Sequence, residues 1–463
     1  MSEQVRVAVI GGGVTGLCAA FYFAKEYGPE QVRLIEASEY IGGQTRTDHI
    51  DGFSCDWGPN GFLDREPATL QWIEDLGHTA DLIRANEAAA HRFILKDDAL
   101  VEVPLSPPKF LGSPLLSVSG RARLLCEPFI RGKKDDSPES LWHFAARRIG
   151  TEAADFMVDP MASGIFGGDA KQLSLAHCFP KMADMERDHG SLFKAMLAKR
   201  RQTKKKVNAA GPAGTLTSFV NGIGFLPEIA TQALGDRILT HTRVLRIAKS
   251  NAGYTIETDK GPQINAQAVV MAVPAYAASA ITTTFDTELA ATLAEIPYAD
   301  IAVLCTGYRR EQVKHDLNGF GFVVPRNQKK RVLGCIWTSS IFPNRAPEGW
   351  VQLRTMYGGY TDAGILKLTD KEMLGGLEKE VERLMGVQGA PEFVKIYRWK
   401  RGIPQFMLDH GSKLARLEAA EKRYPGLIFA GNAYRGVGLN DCVLSARRAV
   451  NHITALPGLT PSS

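Results

Sequence analysis

The sequence predicts an α/β protein (α+β overall) with three parts: a parallel-sheet domain assembled from discontinuous segments, a mixed-sheet domain and a helical lobe. Val7, Val9 and Ile10 form a β-branched run that enters a glycine turn and a helix, as strands of parallel sheets do. Residues from about 66 to 205 carry mainly helical periodicity, with apolar stripes opposite Arg or Lys. Strand patterns of the first kind return after this stretch and in the last segment. The helical stretch is therefore predicted to interrupt the first domain.

The composition is that of a globular protein. The chain has 463 residues, of which 44% are hydrophobic and 23% charged, and this length suits two or three domains. Part of its net charge of +5 comes from basic runs at residues 199–201 and 204–206. Such runs indicate either a solvated loop or attraction to an anionic membrane surface. No recognised binding motif accompanies them, so nucleic acid is not predicted as a partner.

The cysteines, histidines and apolar stretches indicate the cellular location of the protein and whether it has a metal site. The seven cysteines include no C-x-x-C pair and the ten histidines show no metal-ligand spacing, which predicts reduced thiols, a cytoplasmic protein and no metal site. The first strand begins almost at once, which does not suit a signal or transit peptide. The longest apolar stretch, near residues 268–281, is broken by Pro274 and is too short to span a bilayer. Any membrane association is therefore expected to be peripheral.

The first strand–helix turn predicts a dinucleotide site. Gly11 allows the tight turn, Gly13 lets a pyrophosphate approach the backbone, and Gly16 lets the helix pack close to the strand. The N–H groups that begin the helix point at the phosphates. Glu36 ends the second strand 20 residues after Gly16, where a carboxylate accepts both hydroxyls of an adenosine ribose. Together these features predict a Rossmann-like domain.

Further glycine turns indicate which dinucleotide is bound. The turn at residues 58–61 lets backbone N–H groups approach a flat ring. The last segment contains Gly431-Asn432, a second glycine turn at residues 436–438, and a helix with Asn440 or Asp441 as its predicted N-cap. A helix N-terminus there stabilises negative charge at the N1–C2=O end of a reduced flavin, which favours FAD over NAD.

These patterns predict the domain boundaries. Residues 1–88, 207–294 and 401–463 are expected to form a discontinuous FAD-binding domain. Residues 89–206 are expected to form a helical, membrane-associating lobe, and residues 295–400 a substrate-binding sheet domain.

Longer motifs are more selective than the glycine loop. They are GPNGFLDREPAT from Gly58, DPMASGIFGGDAKQLS from Asp159, HDLNGFGFVVP from His315, SSIFPNRAP from Ser339, YRWKRGIPQF from Tyr397 and GNAYRGVGLNDCV from Gly431. Through them the whole chain resembles the protoporphyrinogen and coproporphyrinogen oxidase family, flavoproteins of the amine oxidase and phytoene desaturase type.

The resemblance implies a set of FAD contacts, most of which need only backbone groups. Val244 is expected on the adenine side, and Trp399 in the flavin pocket. The full set is Gly11, Gly12, Gly13, Val14, Thr15, Gly16, Glu36, Gln44, Gly58, Pro59, Asn60, Gly61, Val244, Trp399, Asn432, Val437, Gly438 and Leu439.

The resemblance also implies a tetrapyrrole site. Arg92 would hold a propionate in a bidentate fork, and the carbonyl of Gly164 would approach the macrocycle. Val323, Ile336 and Met356 would line its apolar walls. Where relatives often carry aromatic or leucine residues, Val323 and Met356 depart from the pattern, and sheet core is the competing interpretation of these positions.

The implied reaction asks little of side chains, so no catalytic residue is assigned. In the family, hydride passes from a meso carbon of the porphyrinogen to flavin N5, and oxygen reoxidises the flavin. Three such cycles convert protoporphyrinogen IX to protoporphyrin IX in heme biosynthesis. The group that accepts the pyrrole N–H protons is not identified by the sequence. The enzyme's expected contribution is placement of the substrate against the cofactor.

Three alternatives remain at the sequence level. Coproporphyrinogen III oxidation uses the same fold on a substrate with four propionates, although Arg92 resembles the protoporphyrinogen type more. An amine oxidase or carotenoid desaturase is more distant, because no lysine with an aromatic pair beside the flavin is identified. A flavin-free lipid-binding chaperone, as in the GDP dissociation inhibitors, does not account for the intact glycine loop with Glu36.

The expected partners are the porphyrinogen, oxygen and a membrane surface. Basic, amphipathic segments between about residues 109 and 206 predict peripheral attachment to the cytoplasmic face of a membrane. A homodimer is compatible with the sequence, which leaves the oligomeric state open.

Overall fold

The computed structural model describes residues 2–104, 112–133, 135, 137–202 and 214–461. The basic run at residues 204–206 lies outside them, and of residues 199–202 only the backbone is described.

The strands are numbered in chain order. They are β1 (Ser2–Ile10), β2 (Val32–Ile35), β3 (Thr47–Ile50), β4 (Phe53–Asp56), β5 (Phe62–Leu63), β6 (Leu82–Arg84), β7 (Arg92–Lys96), β8 (Ala99–Glu102), β9 (Leu216–Phe219), β10 (Ile238–Leu239), β11 (Val244–Ser250), β12 (Gly253–Thr258), β13 (Gln263–Met271), β14 (Tyr298–Arg309), β15 (Gly321–Val323), β16 (Val332–Ile336), β17 (Trp350–Gly358), β18 (Phe393–Pro404) and β19 (Leu427–Phe429).

The α-helices are numbered in the same way. They are α1 (Val14–Tyr27), α2 (Pro67–Asp75), α3 (Val118–Leu125), α4 (Leu141–Ile149), α5 (Thr151–Ala153), α6 (Asp159–Phe166), α7 (Leu175–Cys178), α8 (Pro180–His189), α9 (Leu192–Gln202), α10 (Phe225–Leu234), α11 (Ala275–Thr282), α12 (Thr287–Ala294), α13 (Thr338–Ile341), α14 (Asp370–Leu377), α15 (Arg383–Met385), α16 (His410–Arg423) and α17 (Leu439–Thr454). None of the described helices combines the length and apolar character that crossing a bilayer requires.

The first sheet has the order β10-β2-β1-β13-β12-β11, and β19 also pairs with β13. Strand β1 runs parallel to both β2 and β13, with Val7 opposite Val32 on one side and Ala268 on the other. Successive residues of β1 point to opposite faces, and Val7 and Ala8 are fully buried in two different cores. This explains the continuous apolar run, because helices cover both faces of a central parallel strand. The predicted α/β fold class is confirmed.

The second sheet has the order β18-β14-β17-β16-β15-β7-β8. Its pairs are antiparallel except for β15 with β7, where Val323 lies opposite Ile94. The sheet therefore recruits β7 and β8, which the predicted boundary at residue 89 assigned to the helical lobe. Strand β7 pairs with β15, which lies more than 200 residues away along the chain, and no local pattern indicates such a partner.

The helices from α3 to α9 form the lobe. A core of Phe144, Val158, Phe166 and Leu173 holds it together and includes Phe406 from the segment after β18. The backbone N–H of Ser174 donates to the carbonyl of Phe406 at 2.8 Å. The lobe is therefore packed directly on the segment that leads into α16.

Candidate functional site

The glycine loop has the geometry of a phosphate cradle. A Cβ at Gly16 would lie 1.8 Å from the carbonyl oxygen of Gly11, so α1 approaches β1 as closely as only glycine allows. Gly11 itself has a φ of +111°. Among the described residues, no atom outside Gly13 and its chain neighbours lies within 4 Å of a Cβ built on Gly13, which therefore faces open space. Helix α1 begins at Val14 without a side-chain cap, which leaves its first N–H groups for a ligand.

Glu36 lies at the carboxyl end of β2, beside this loop. Its two carboxylate oxygens accept hydrogen bonds from the N–H groups of Gly12 at 2.7 Å and Ser38 at 2.8 Å. Each oxygen keeps a further acceptor position, as a ribose diol requires. The N–H of Thr242 donates to the carbonyl of Glu36 at 2.9 Å, so the chain leading into Val244 runs next to it. The structure thus brings the predicted ribose and adenine contacts together.

A second pair of glycines, Gly42 and Gly43, lies against the glycine loop of residues 11–16. Gly42 pairs with Gly13 in a parallel bridge, and a Cβ at Gly43 would lie 3.4 Å from the Cα of Gly13. The predicted contact Gln44 donates from Nε2 to the carbonyl of Gly402 at 2.5 Å, which ties this loop to the end of β18.

The turn at residues 58–61 packs tightly on protein backbone. A Cβ at Gly58 would lie 2.5 Å from the carbonyl oxygen of Gln44, and one at Gly61 would lie 2.5 Å from that of Thr217. Trp399 donates from its indole nitrogen to the carbonyl of Trp57 at 3.0 Å, directly before the turn. Pro59 and Asn60 form the middle of this turn, so Trp399 lies beside the turn near which the flavin ring is predicted.

The C-terminal turn returns to α1. The hydroxyl of Thr15 donates to the carbonyl of Cys442 at 3.3 Å, and a Cβ on Gly431 would lie 3.9 Å from that hydroxyl. Asn432 follows Gly431 and is part-exposed, while Val437 packs against the lobe core. The two ends of the chain therefore meet at one groove.

Helix α17 begins earlier than predicted. Gly438 is the residue before its first turn, and Leu439 is its first residue. Asp441 accepts a hydrogen bond from the N–H of Gly438 at 3.0 Å, and Asn440 bonds Leu63 and Thr69. Neither predicted N-cap residue is the cap, because the Asp441 carboxylate reaches back from the third position of the helix. No side chain at the cap position covers the helix N-terminus.

The groove fits FAD on the protein's own groups. Among the described residues, Arg46 Nε, Trp57 Nε1 and Asn60 Nδ2 are buried without a hydrogen-bond partner. The guanidinium of Arg46 lies 4.8 Å from the ring of Tyr40 and 5.0 Å from that of Trp57. Uncapped helix ends, an open Gly13 and unpaired donors together form a site for an anionic dinucleotide with a flat ring.

The predicted substrate residues share one face of the second sheet. Val323 lies opposite Gly334, Gly334 opposite Met356, Met356 opposite Val303, and Val303 opposite Tyr397. Side chains of directly paired residues point to the same face. Ile336 and Trp399 lie in the adjacent rows on this face, so the wall and the predicted flavin residue are contiguous.

Arg92 lies at one end of this wall. It pairs with Gly321 in the row of Ile336, and its guanidinium lies 5.2 Å from the ring of Phe320. Its side chain is exposed, and no described carboxylate forms an ion pair with it. Ile336, Phe320 and Leu216 all pack against one buried cluster of Ala89, Ile341 and Phe342. Leu216 also lies 3.2 Å from the site of a Cβ at Gly61, so this cluster lies between the region of Arg92 and the flavin turn.

Gly164 faces the wall from α6. A Cβ there would lie 3.2 Å from Cγ1 of Val323, so the helix backbone approaches the sheet closely at this point. The structure therefore brings Arg92, Gly164 and the three wall residues to one region, beside Trp399.

Phe320 and Arg354 are neighbours of this site that sequence reasoning missed. Phe320 lies in the quoted motif HDLNGFGFVVP. Arg354 precedes Met356 by two residues, and the period of two in a strand places it on the same face. That alternation is the signal that would have found Arg354.

A separate cavity of about 310 Å³ lies between α6 and the loops after β15 and β17. Its cations are already paired: Arg326 with Asp169 at 3.2 Å, Lys330 with Asp98 at 3.0 Å, and Arg331 with Asp362 at 2.7 Å. These ion pairs tie the loops together, and the cavity is not assigned to the site.

Known proteins share this architecture. The family model "flavin containing amine oxidoreductase" matches residues 14–454. The coproporphyrinogen III oxidase of Bacillus subtilis (strain 168) is 30% identical over 96% of this chain and 97% of its own. The chloroplastic protoporphyrinogen oxidase of Oryza sativa subsp. japonica is 32% identical over 96% of this chain and 87% of its own. A crystal structure from Exiguobacterium sp. 255-15, provisionally assigned as a protoporphyrinogen oxidase, has 25% identity and a TM-score of 0.83 over 97% of this chain and 99% of its own.

The chain belongs to the family of flavin containing amine oxidoreductases. It is an oxidoreductase with FAD as its cofactor, as predicted. Within the family, its full-length relatives include proteins named protoporphyrinogen oxidase and coproporphyrinogen III oxidase, which confirms the resemblance drawn from the motifs.

Proposed function

We propose that this chain oxidises protoporphyrinogen IX to protoporphyrin IX, with molecular oxygen as the final electron acceptor. The observation that carries the proposal is the apolar wall of Val323, Ile336 and Met356, which ends in the unpaired cation of Arg92 and adjoins Trp399. Relatives of both porphyrinogen types match nearly the whole chain, which supports the substrate class.

The site suits an apolar macrocycle with carboxylates on one side. The wall offers a surface of aliphatic and thioether groups that removes water from the ring. Arg92 lies at its edge with its donors free for a propionate, and the backbone of α6 at Gly164 approaches the wall closely at Val323. Protoporphyrinogen IX carries its two propionates on neighbouring pyrroles, so one arginine at one edge suits it.

The protein's role is binding and orientation. Bound FAD supplies the hydride acceptor. The wall and Gly164 hold the macrocycle beside the ring position marked by Trp399, and Arg92 fixes its rotation within the plane. Such positioning is a large part of the rate enhancement that enzymes achieve in reactions between two bound groups.

The test compares purified protein on protoporphyrinogen IX and coproporphyrinogen III under oxygen, with porphyrin fluorescence as the signal. We expect the higher kcat/KM for protoporphyrinogen IX. Arg92→Leu is expected to raise KM about 10- to 100-fold with little change in kcat, because a charge-assisted hydrogen bond is worth about 1.5–3 kcal/mol. Arg84→Leu is the matched control, since Arg84 is an exposed arginine paired with Asp64 at 3.2 Å.

Two outcomes would contradict the proposal. A clear preference for coproporphyrinogen III would move the assignment to the four-propionate substrate. Activity on neither porphyrinogen by FAD-loaded protein would remove the substrate class altogether.

We further propose that the helical lobe attaches the protein peripherally to the cytoplasmic face of an anionic membrane. Among its described residues, the most exposed large apolar side chains are Phe129 and Val118, which are 85% and 77% exposed. Leu125, Met196 and Leu197 are also exposed on α3 and α9. Exposed Arg131 and Lys194 lie in the same segments, and apolar groups with cations beside them suit an anionic lipid surface.

Vesicle cosedimentation tests this attachment. We expect binding to vesicles of phosphatidylcholine with phosphatidylserine, weaker binding to phosphatidylcholine alone, and a loss of binding in Phe129→Asp. Leu245→Asp, at an exposed apolar residue of β11, is the control that retains binding. Equal recovery of wild-type protein in the supernatant with and without vesicles would refute the attachment.

The homodimer stays a prediction, which sedimentation velocity at several concentrations would test.

A further inference from the structure

Arg354 is a buried arginine whose hydrogen bonds go to carbonyl groups. It is 3% exposed and lies on the wall face of β17. Its Nε donates to the carbonyl of Asp56 at 3.0 Å, and an Nη donates to the carbonyl of Gly58. Two residues further along β17, Met356 forms part of the substrate wall. One side chain therefore joins the substrate sheet to the first residue of the flavin turn.

The charges around Arg354 do not cancel. The Asp56 carboxylate accepts from the hydroxyl of Thr47 at 2.6 Å, and its other oxygen lies 4.0 Å from Nε of buried Arg345. Arg345 donates to the carbonyls of Val220 and Phe219, both at 3.0 Å. Two guanidinium groups thus accompany one carboxylate in this cluster, which leaves an excess of positive charge buried beside the turn.

Because this positive charge is buried, its electrostatic effect extends over a longer distance than that of an exposed charge. Exposed charges are screened by water and salt, whereas charges in a protein interior act through a lower effective dielectric constant. The turn at residues 58–61 is predicted to lie near the flavin ring, and it begins at the carbonyl that Arg354 holds. A second side chain of β17, Gln352, donates to the carbonyl of Ser54 at 3.1 Å and fixes the strand that precedes the turn.

We propose that Arg354 is a positioning residue that holds the flavin turn against the substrate sheet and whose buried charge raises the reduction potential of the bound flavin. Uptake of two electrons and one proton, as a hydride from the porphyrinogen, gives the neutral oxidised ring one negative charge. A fixed positive charge beside the turn stabilises that state. This inference rests on the proposed function for the place of the ring and for the hydride donor.

The test measures the flavin midpoint potential in FAD-loaded protein without porphyrinogen, by slow dithionite reduction against a reference dye. Arg354→Met and Arg354→Gln remove the charge. We expect each to shift the balance between oxidised and reduced flavin at least tenfold toward the oxidised form, about 30 mV for a two-electron couple. Arg354→Lys keeps the charge and is expected to stay within threefold of wild type.

Arg354→Lys isolates the positioning effect. An ammonium group cannot reproduce the planar fork that reaches two carbonyls, so we expect KM for the porphyrinogen to rise at least fivefold while the potential is kept. Arg398→Met is the matched control, because Arg398 lies in neighbouring β18 and pairs with Asp370 at 2.6 Å near the surface. It should leave both the potential and KM unchanged.

The outcomes separate this inference from the proposed function. A wild-type potential in the FAD-loaded neutral variants would overturn the charge effect, and a wild-type KM in Arg354→Lys would overturn the positioning effect. If Arg354→Met does not fold, Arg354→Gln and Arg354→Lys still decide both points. Failure of the wild-type protein to oxidise either porphyrinogen would refute the proposed function and leave the potential measurement valid.

Discussion

At single positions, the cofactor groove depends on where the chain has room for a Cβ and where it has none. A Cβ at Gly16 has no room because the backbone of Gly11 lies too close, whereas a Cβ at Gly13 would project into the groove. Both belong to the same G-x-G-x-x-G motif, but only the environment of each Cβ shows which glycine serves packing and which serves the ligand.

This difference makes a pair of substitutions informative. Gly16→Ala should destabilise the fold, because the new methyl group meets backbone that cannot move aside cheaply. Gly13→Ala should keep the unfolding temperature of the apoprotein and weaken FAD binding at least tenfold, about 1.4 kcal/mol. Thermal unfolding and fluorescence titration with FAD measure the two effects.

A third glycine provides the control. A Cβ built on Gly375 in α14 also lies more than 4 Å from every described atom beyond the local helix backbone, but Gly375 lies far along the chain from the groove. Gly375→Ala should bind FAD like the wild type. Equal affinity in Gly13→Ala and Gly375→Ala would contradict the assignment of Gly13 to the phosphate cradle.

His410 is a buried histidine behind the C-terminal flavin turn. Its Nε2 lies 2.9 Å from the carbonyl of Tyr434, its ring stacks on Phe406 at 4.3 Å, and the ring of His177 lies 5.2 Å away. The hydrogen bond to a carbonyl requires Nε2 to carry the proton in the neutral ring. Burial lowers the pKa of His410 to about 4, since the charged form would lose its hydration.

The pH dependence of stability follows with a defined sign. The folded pKa is lower than the unfolded one, so the unfolded chain binds the proton more readily. The contribution of neutral His410 to the free energy of unfolding is therefore fully present above pH 6.5. It is lost as the pH falls toward about 4, which lowers the free energy of unfolding by up to about 3 kcal/mol. Urea unfolding between pH 7 and pH 4 should show this slope in the wild type and a shallower slope in His410→Asn. Equal slopes in the wild type and in His410→Asn would contradict the assignment of this pH dependence to His410.

At the scale of elements, a buried ion pair joins two helices of the helical lobe. Arg148 and Glu127 are both fully buried, with Arg148 Nε donating to Glu127 Oε1 at 2.9 Å. Glu127 also accepts from the N–H of Leu192 at 2.9 Å and from the hydroxyl of Ser191 at 2.6 Å. One carboxylate thus joins α4 to the first turn of α9, and it satisfies N–H groups that the helix leaves free.

Arg148→Met should loosen this part of the lobe strongly. It leaves Glu127 buried without its cation, which typically costs about 3–5 kcal/mol. Amide hydrogen exchange in α4 and α9 is expected to accelerate about 100-fold or more, with little change in the first sheet. Arg147→Met is the comparison, since Arg147 is part-exposed and its partner Glu186 keeps an ion pair with Arg148 at 3.2 Å. Equal acceleration in both variants would argue against a special role for the buried pair.

At the scale of the whole molecule, the FAD groove is built from distant parts of the chain. Helix α1 and helix α17 pack together, and both direct uncapped N-termini to the same groove. Strand β13 joins β1 to β19 within one sheet. Binding of FAD therefore contacts segments that only the complete fold brings together, and it should stabilise the fold as a unit.

FAD should consequently raise the unfolding temperature. At a free concentration 100-fold above Kd, binding adds about 2.7 kcal/mol to the free energy of unfolding. Riboflavin, which lacks the ADP half, should give a smaller shift because Gly13 and Glu36 have nothing to hold. Thermal unfolding over a series of concentrations of each ligand measures this. The same shift with riboflavin as with FAD would contradict the role of the glycine loop.

Local chemistry alone determined much of the architecture. The β-branched run of β1, the glycine spacing and Glu36 predict a parallel strand, a phosphate turn and a ribose acceptor, because each depends on residues close in sequence. Helical periodicity predicted α2, α3, α4 and α9 for the same reason. The long motifs around Gly58, Gly164 and Gly431 led to the family and to FAD, and both are confirmed.

Long-range pairing was decided only by the tertiary structure. No local pattern shows that β7 joins β15 or that Arg354 holds the turn after Asp56. Each of these depends on a partner far along the chain, and the free energy of such contacts comes from burial and hydrogen bonds that form only when the sheets assemble. The sequence by itself determined that the chain holds FAD. The tertiary structure decided which side chains of the second sheet lie beside the FAD groove.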